Sequence, residues 1–215
     1  MKITILTLFP TYFISPFEQS ILKRALEQKL VEVEVVDVRD FSQDKHRKAD
    51  DRPFGGGPGM VMMVEPIDLA LQSVKKKSQS GKRKVVLTSA KGKLYDQQKA
   101  LAYSKLDELV IICGHYEGVD ERVAEHLIDE EIRIGDYVLT GGEPAAAVIA
   151  DSLIRLLPGV LGNEESFLDE SHAVPGQLGY PQYTRPQNYR GWEVPEVLVT
   201  GDHAKIKEWR EKQKQ

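Results

Sequence analysis

The sequence predicts an α/β fold built on a parallel sheet with flanking helices. Short runs rich in Val, Ile and Leu alternate with segments of helical periodicity. The first three elements read strand–helix–strand, the unit of a parallel sheet. Three later apolar runs each end in a loop of glycines and small polar residues, and ligands of open α/β sheets sit at the carboxyl ends of strands.

Lys2–Leu8 is a strand candidate, ended by Phe9 and Pro10. Pro16–Leu30 has helical spacing, with Phe17, Ile21, Leu22, Ala25, Leu26 and Leu30 on one face. Val31–Val38 alternates like a half-buried strand. Arg39–Val64 interrupts the pattern with dense charge and Gly55-Gly56-Gly57-Pro58-Gly59, and a long irregular segment inside a compact domain is usually functional or disordered. From spacing alone its Lys45, His46, Arg47 and Lys48 read as a solvated loop rather than a phosphate grip. Met60, Met62 and Met63 suit adaptable packing.

Pro66–Lys77 predicts a helix whose closing lysines suit its C-terminus. Val85–Thr88 predicts a short strand followed by a Ser89–Gly92 loop, Gln97–Ser104 a helix, and Glu108–Cys113 a strand leading into Gly114–Gly118. Asp120 is a candidate N-cap for a helix over Asp120–Leu127.

The organising stretch is Ile132–Leu157, IRIGDYVLTGGEPAAAVIADSLIRLL. It reads as strand, loop and helix, with Pro144 in the first turn, where a missing N–H costs nothing. Glycines beside a helix N-terminus leave backbone N–H groups free to meet a polar ligand. Pro158–Arg190 is long, polar and rich in Gly and Pro, like a linker or lid. Asp202–Lys214 predicts a closing helix.

Composition narrows the function classes. A chain of 215 residues can bury a sizeable core. The net charge of −4 argues against a general nucleic-acid coat and leaves room for local basic patches reading one RNA. The single cysteine, Cys113, ends an apolar run and reads as a buried structural thiol in a reducing cytoplasm. No apolar run approaches membrane-spanning length, and MKITILTLFP reads as a buried first strand rather than a signal peptide. The five histidines are scattered, without zinc spacing, and neither a dinucleotide fingerprint nor a P-loop occurs.

Six strings then occur together and in order: DDRPFGGGPGM (Asp50–Met60), ICGHYEGVDERV (Ile112–Val123), IGDYVLTGGEPAA (Ile134–Ala146), LPGVLGN (Leu157–Asn163), YTRP (Tyr183–Pro186) and GDHAKIKEWR (Gly201–Arg210). The chain closely resembles the bacterial tRNA (guanine-N1)-methyltransferases, the TrmD family, from Met1 to about Arg210. The resemblance implies a SPOUT fold with a deep C-terminal trefoil knot and a small helical C-terminal domain. It implies 1–160 as the knotted donor-binding domain, 161–186 as a linker or lid, and 187–215 as a tRNA-binding domain. It also implies a cytoplasmic homodimer with its active site between subunits. The reaction implied is methyl transfer from S-adenosyl-L-methionine to N1 of the guanosine 3′-adjacent to the anticodon in tRNA, with magnesium assisting.

By the same resemblance the methyl donor lies bent among Leu87–Ala90, Gly114–Gly118 and Ile134–Pro144. Donor contacts carry over to Leu87, Ser89, Ala90, Gly114, Tyr116, Glu117 and Gly118. They continue to Ile134, Gly135, Asp136, Tyr137, Val138, Leu139, Gly141, Gly142 and Pro144. Arg155 matches the family's catalytic arginine. For the catalytic acid, counting from Gly162 gives Glu170, while counting back from Tyr183 favours Asp169, and both stay open. Asp51, Arg52, Phe54 and Gly55–Gly59 match the family's tRNA-holding loop, with Tyr183, Arg185 and His203 as further RNA candidates. Many members continue beyond Arg210 into a helical extension. Against that pattern the sequence to Gln215 reads either as a short form or as one whose RNA grip is weaker or otherwise distributed, which bears on tRNA affinity rather than catalysis. The alternatives are a SPOUT enzyme acting on another RNA and a donor- or RNA-binding module without turnover.

Overall fold

The structure is a computed structural model that describes residues 1–77, 81–162 and 170–214. The chain forms two compact units, Met1–Gly162 and Asn163–Gln215.

The first unit is a mixed α/β body around a five-stranded sheet. Its strands are β1 (Lys2–Thr7), β2 (Glu32–Asp37), β5 (Arg83–Leu94), β6 (Glu108–Cys113) and β7 (Glu130–Arg133), in the order β2-β1-β6-β5-β7. Every pairing in it is parallel. A parallel sheet covered on both faces needs apolar residues pointing both ways, and β6, ELVIIC, is buried at every position. Alternation then divides the core. Ile3, Ile5, Leu109 and Ile111 face one side and pack with α6 (Glu143–Ile154). Leu6, Val110 and Ile112 face the other and pack with Ile67 and Leu71 of α3 (Val64–Lys77).

Three elements differ from the sequence expectations. The Pro16–Leu30 helix is broken into α1 (Ile14–Phe17) and α2 (Ser20–Glu27), because Ser20 adopts a φ of 45°, which no continuous right-handed helix admits. The Ser89–Gly92 segment is not a loop but part of β5, which runs on to Leu94 through a register shift between Thr88 and Lys93. Gly92 makes this possible, since a Cβ there would lie 2.4 Å from the Ile132 backbone nitrogen on β7. The irregular Arg39–Val64 segment contains a small antiparallel pair, β3 (Asp50–Asp51) with β4 (Val61–Met62).

The remaining helices follow their local signals. Asp96 caps α4 (Gln97–Tyr103) by accepting from Lys99 N–H, and Asp120 caps α5 (Glu121–His126) by accepting from Arg122 N–H. In the second unit, Asn188–Tyr189 (β8) and Trp192–Glu193 (β9) form a hairpin across Arg190 and Gly191, both at positive φ, as a tight hairpin turn requires. Asp202 caps α7 (His203–Gln213). Among the described residues no helix is long and apolar enough to cross a membrane.

Candidate active site

Strand order brings the site together. β6, β5 and β7 are neighbours in the sheet, so the segments at their carboxyl ends stand side by side. Thr88 ties the first two: its Oγ1 accepts from Gly114 N–H at 3.3 Å and donates to Ile112 C=O at 3.2 Å. The chain leading into α6 then crosses directly over this point, and Gly142 N–H donates to Gly114 C=O at 2.7 Å. A Cβ on Gly142 would sit 1.9 Å from Thr88 Oγ1 and 2.9 Å from the Cys113 Cα, so only glycine fits. Gly135 serves a different end, because the Tyr137 ring folds back over it to within 2.3 Å of where a Cβ would be.

These segments enclose a cavity of about 440 Å³, within the usual range for small-molecule sites. Every donor-contact candidate lines it except Asp136 and Pro144. The Asp136 carboxylate instead accepts from Arg133 Nε at 2.7 Å and is open to solvent, and Pro144 is built into the first turn of α6. Leu87, Ile132, Ile134 and Ala145 give apolar wall, while Tyr116, Tyr137, Val138 and Leu139 are exposed aromatic and aliphatic surface along it.

The charges around the cavity are not equivalent. Lys91 Nζ binds both Glu121 oxygens, at 2.9 and 2.7 Å, and is 3.8 Å from Glu131; its hydrogen bond to Glu121 raises its pKa. Arg133 spends its donors on Asp136 and on Gly92 C=O. The Glu117 carboxylate makes no ion pair or hydrogen bond among the described residues. It is an acidic group available to meet a cationic ligand. Cys113 lies beneath, fully buried, and burial pushes its thiol well up, with Glu143 adding to the effect. It is structural rather than nucleophilic.

In the sequence the glycine-rich basic loop and the Gly114–Gly118 segment are separate features. The structure joins them through the backbone. Glu117 N–H donates to Met60 C=O, Met62 N–H to Gly118 C=O and Asp120 N–H to Met62 C=O, at 3.1, 3.0 and 2.9 Å. Gly59, at φ +79°, brings the loop so close that a Cβ would touch the Glu117 side chain at 2.5 Å. Met62 is fully buried in the core, whereas Phe54 at the loop's tip is 100% exposed. Arg47 is drawn into an ion pair with Asp40 rather than standing free.

Lys91, Glu121, Glu131 and Arg133 also line the cavity and lie outside the three donor segments named from the sequence, while Thr88 and His115 lie within those segments without being named as contacts. Lys91 was hidden by reading Ser89–Gly92 as a loop, and the others carry no local signal, since their positions depend on strand register.

Of the catalytic candidates, Arg155 shares the first unit with the cavity but does not line it. Arg155 is the C-cap of α6, the helix whose opposite end meets the cavity. At 1.5 Å per residue, Glu143 and Arg155 are about 18 Å apart along the axis. Glu170 belongs to the second unit, where its C=O accepts from Ala173 N–H. Asp169 lies outside the described residues. In the same unit Tyr183 and Arg185 line a second cavity of about 580 Å³, where Tyr183 packs against Trp209 at 6.3 Å. His203 opens α7.

A family model described as tRNA (Guanine-1)-methyltransferase TrmD matches residues 1–215. The tRNA (guanine-N(1)-)-methyltransferase of Ruminiclostridium cellulolyticum is 53% identical over 213 residues, covering 99% of this chain and 91% of the relative. The proteins of the same name from Listeria welshimeri and Dehalococcoides mccartyi are 49% and 51% identical, again over 99% of this chain and over 86% and 85% of theirs. With a match along its whole length and relatives at this identity, the chain belongs to the tRNA (guanine-1)-methyltransferase family, TrmD.

Proposed function

We propose that this chain transfers the methyl group of S-adenosyl-L-methionine to N1 of a guanosine in tRNA, the one 3′-adjacent to the anticodon. The observation that carries the reading is the convergence of Leu87–Ala90, Gly114–Gly118 and 134–142 on one cavity, in a chain matching this family from end to end. The cavity suits a sulfonium nucleoside. Its apolar wall would take the adenine, its glycine-rich backbone offers N–H and C=O groups at close range, and the unpaired Glu117 carboxylate would answer the donor's positive charge.

The donor is already activated, so the protein mainly aligns methyl and acceptor. Guanine N1 carries a proton at neutral pH and becomes nucleophilic as that proton leaves. Glu170 or Asp169 would accept it. Negative charge then builds on O6, where the Arg155 guanidinium would stabilise the transition state more than the ground state. The methyl passes to N1, the sulfonium becomes a neutral thioether, and the proton stays on the carboxylate until solvent removes it.

The length of α6 supports a homodimeric site. An arginine about 18 Å along the helix from the cavity is too far to reach a base bound there, so a second copy would supply it. The crossing of Gly142 over the ends of β5 and β6 supports the trefoil knot, with 1–160 as the knotted domain. We take 161–186 as the lid and 187–215 as a small helical tRNA-binding domain. The exposed Phe54 and its glycine-rich loop, anchored on Gly118, would meet the splayed anticodon loop. Such a reaction belongs in the cytoplasm. Magnesium meets no group of three or more His, Cys, Asp or Glu side chains among the described residues, and the steps above use none.

The test is transfer of labelled methyl from S-adenosyl-L-methionine to unmodified tRNA, against the same tRNA with adenosine replacing the acceptor guanosine. Label with guanosine alone supports the reading. Donor binding with no label on either RNA would overturn it.

A further inference from the structure

We infer that His115 is a positioning residue that fastens two walls of the donor cavity together, by donating its Nδ1–H to Glu143 when the donor is bound. This rests on the methyl-donor reading of the cavity.

Glu143, the first residue of α6, is 3% exposed although it is a carboxylate. One of its oxygens accepts from Thr7 Oγ1 at 2.7 Å, tying α6 to the end of β1. The other lies 3.7 Å from His115 Nδ1, outside hydrogen-bond distance. His115 Nδ1 is itself buried and has no hydrogen-bond partner. A buried donor and a buried acceptor thus face each other across a gap that a shift of about half an ångström would close.

The surroundings hold the ring on that line. Phe9 packs against the His115 ring at 4.8 Å between centroids and Tyr116 meets it edge-on at 4.7 Å, while the Arg39 guanidinium lies over Phe9. His115 and Gly141 also form an isolated antiparallel bridge, so the two walls already touch through their backbones.

Gly141 keeps the gap open. A Cβ there would lie 2.4 Å from both His115 Nδ1 and Glu143 Oε2, in the space between them. Unlike Gly118, Gly141 is not in the left-handed region. Glycine is needed at this position for the line between histidine and glutamate, not for backbone conformation.

A ligand bridging Gly114–Gly118 and Gly141–Gly142 draws the two walls together, and the Nδ1–H···Oε2 bond forms as they close. Formed out of water and to a charged acceptor, it adds to donor affinity, because it is made in the bound state and unmade in the free one.

The test compares His115→Leu, Gly141→Ala, the double variant and His115→Asn. S-adenosyl-L-methionine binding is measured by calorimetry, methyl transfer by KM and kcat, and folding by thermal midpoint. Asparagine places an amide N–H close to where histidine carries Nδ1. Loss of one charge-assisted bond predicts that His115→Leu and Gly141→Ala each weaken donor binding about tenfold. The donor KM should rise with it, and kcat at saturating donor should fall by less than about threefold. Because both act on one contact, the double variant should be no weaker than either alone. His115→Asn should recover binding to within about threefold of the parent. Parent-like binding by His115→Leu, additive losses in the double variant, or failure of asparagine to rescue would each overturn the inference. A parent protein that binds donor but methylates no tRNA would overturn the substrate reading while leaving the calorimetric test of His115 intact. A parent that binds no donor would overturn both.

Discussion

Gly142 and Thr88 are in contact so close that no side chain can stand between them: a Cβ on Gly142 would lie 1.9 Å from Thr88 Oγ1. Removing the threonine hydroxyl would not open the site, since the Cys113 Cα and Gly114 nitrogen stand at 2.9 Å behind it. Gly142→Ala should therefore lower stability by about 1–3 kcal/mol, the usual cost of overpacking. It should also displace the α6 N-terminus from the cavity and weaken donor binding. Adding Thr88→Ala should recover less than half of the loss, as read by urea midpoint and donor titration. Full recovery would mean that the hydroxyl, not the backbone crossing, sets the constraint.

Glu117→Gln tests the cationic end of the ligand. The carboxylate has no competing partner among the described residues, so the change should leave the fold intact. Losing one charge-assisted contact should weaken S-adenosyl-L-methionine binding by about tenfold or more. Binding of the neutral product S-adenosylhomocysteine should fall less, because its sulfur carries no charge. Calorimetry with both ligands reads the difference.

Much of this arrangement was legible in the sequence, and the parts that were not share a cause. β6 could be read because a buried parallel strand needs continuous apolar residues, which Leu109–Cys113 supply, and β1 because its Ile, Leu and Thr residues favour a strand. The cap at Asp120 could be read because capping is local. The continuation of β5 through Ser89–Gly92 could not, because it depends on pairing with β7 across a register shift. Nor could the docking of the Met60–Met62 backbone on Glu117–Asp120, which uses main-chain bonds that leave no mark on residue type. In the site, the glycines announced a close approach. That Gly142 approaches Thr88, and that His115 faces Glu143, depends on tertiary structure.

Glu130 sets an acid limit on stability. Burial pushes its carboxyl up, but hydrogen bonds from Lys84, Lys99 and Tyr103 outweigh this and bring it down to about 2, from an ordinary 4.5. A carboxyl lowered on folding contributes stability that is present above its unfolded value and lost as pH falls through its folded value. The contribution should be whole above about pH 5 and decline between about 4.5 and about 2. Glu130→Gln should lower the urea midpoint at pH 7, and its deficit against the parent should shrink steadily as pH falls through that window. A deficit independent of pH would mean that the group acts through packing alone.

Arg155 tests the shared site. A variant with Arg155→Ala and one with Glu117→Gln and Gly142→Ala should each be nearly inactive alone. If Arg155 serves its partner's cavity, mixed dimers regain one working site, and co-refolding equal amounts should restore about a quarter of parent activity by random pairing. No gain on mixing, with heterodimers demonstrated by differential tagging, would place Arg155 and the cavity it serves in one subunit.

The most direct measurement is the chemical identity of the product. Unmodified tRNA is incubated with the protein and S-adenosyl-L-methionine, digested to nucleosides, and analysed by mass spectrometry against methylguanosine standards, with fragment mapping to locate the modified base. The predicted result is 1-methylguanosine at the position 3′-adjacent to the anticodon and no other methylated nucleoside. A methyl group on another atom or another base, or none despite donor binding, would contradict it.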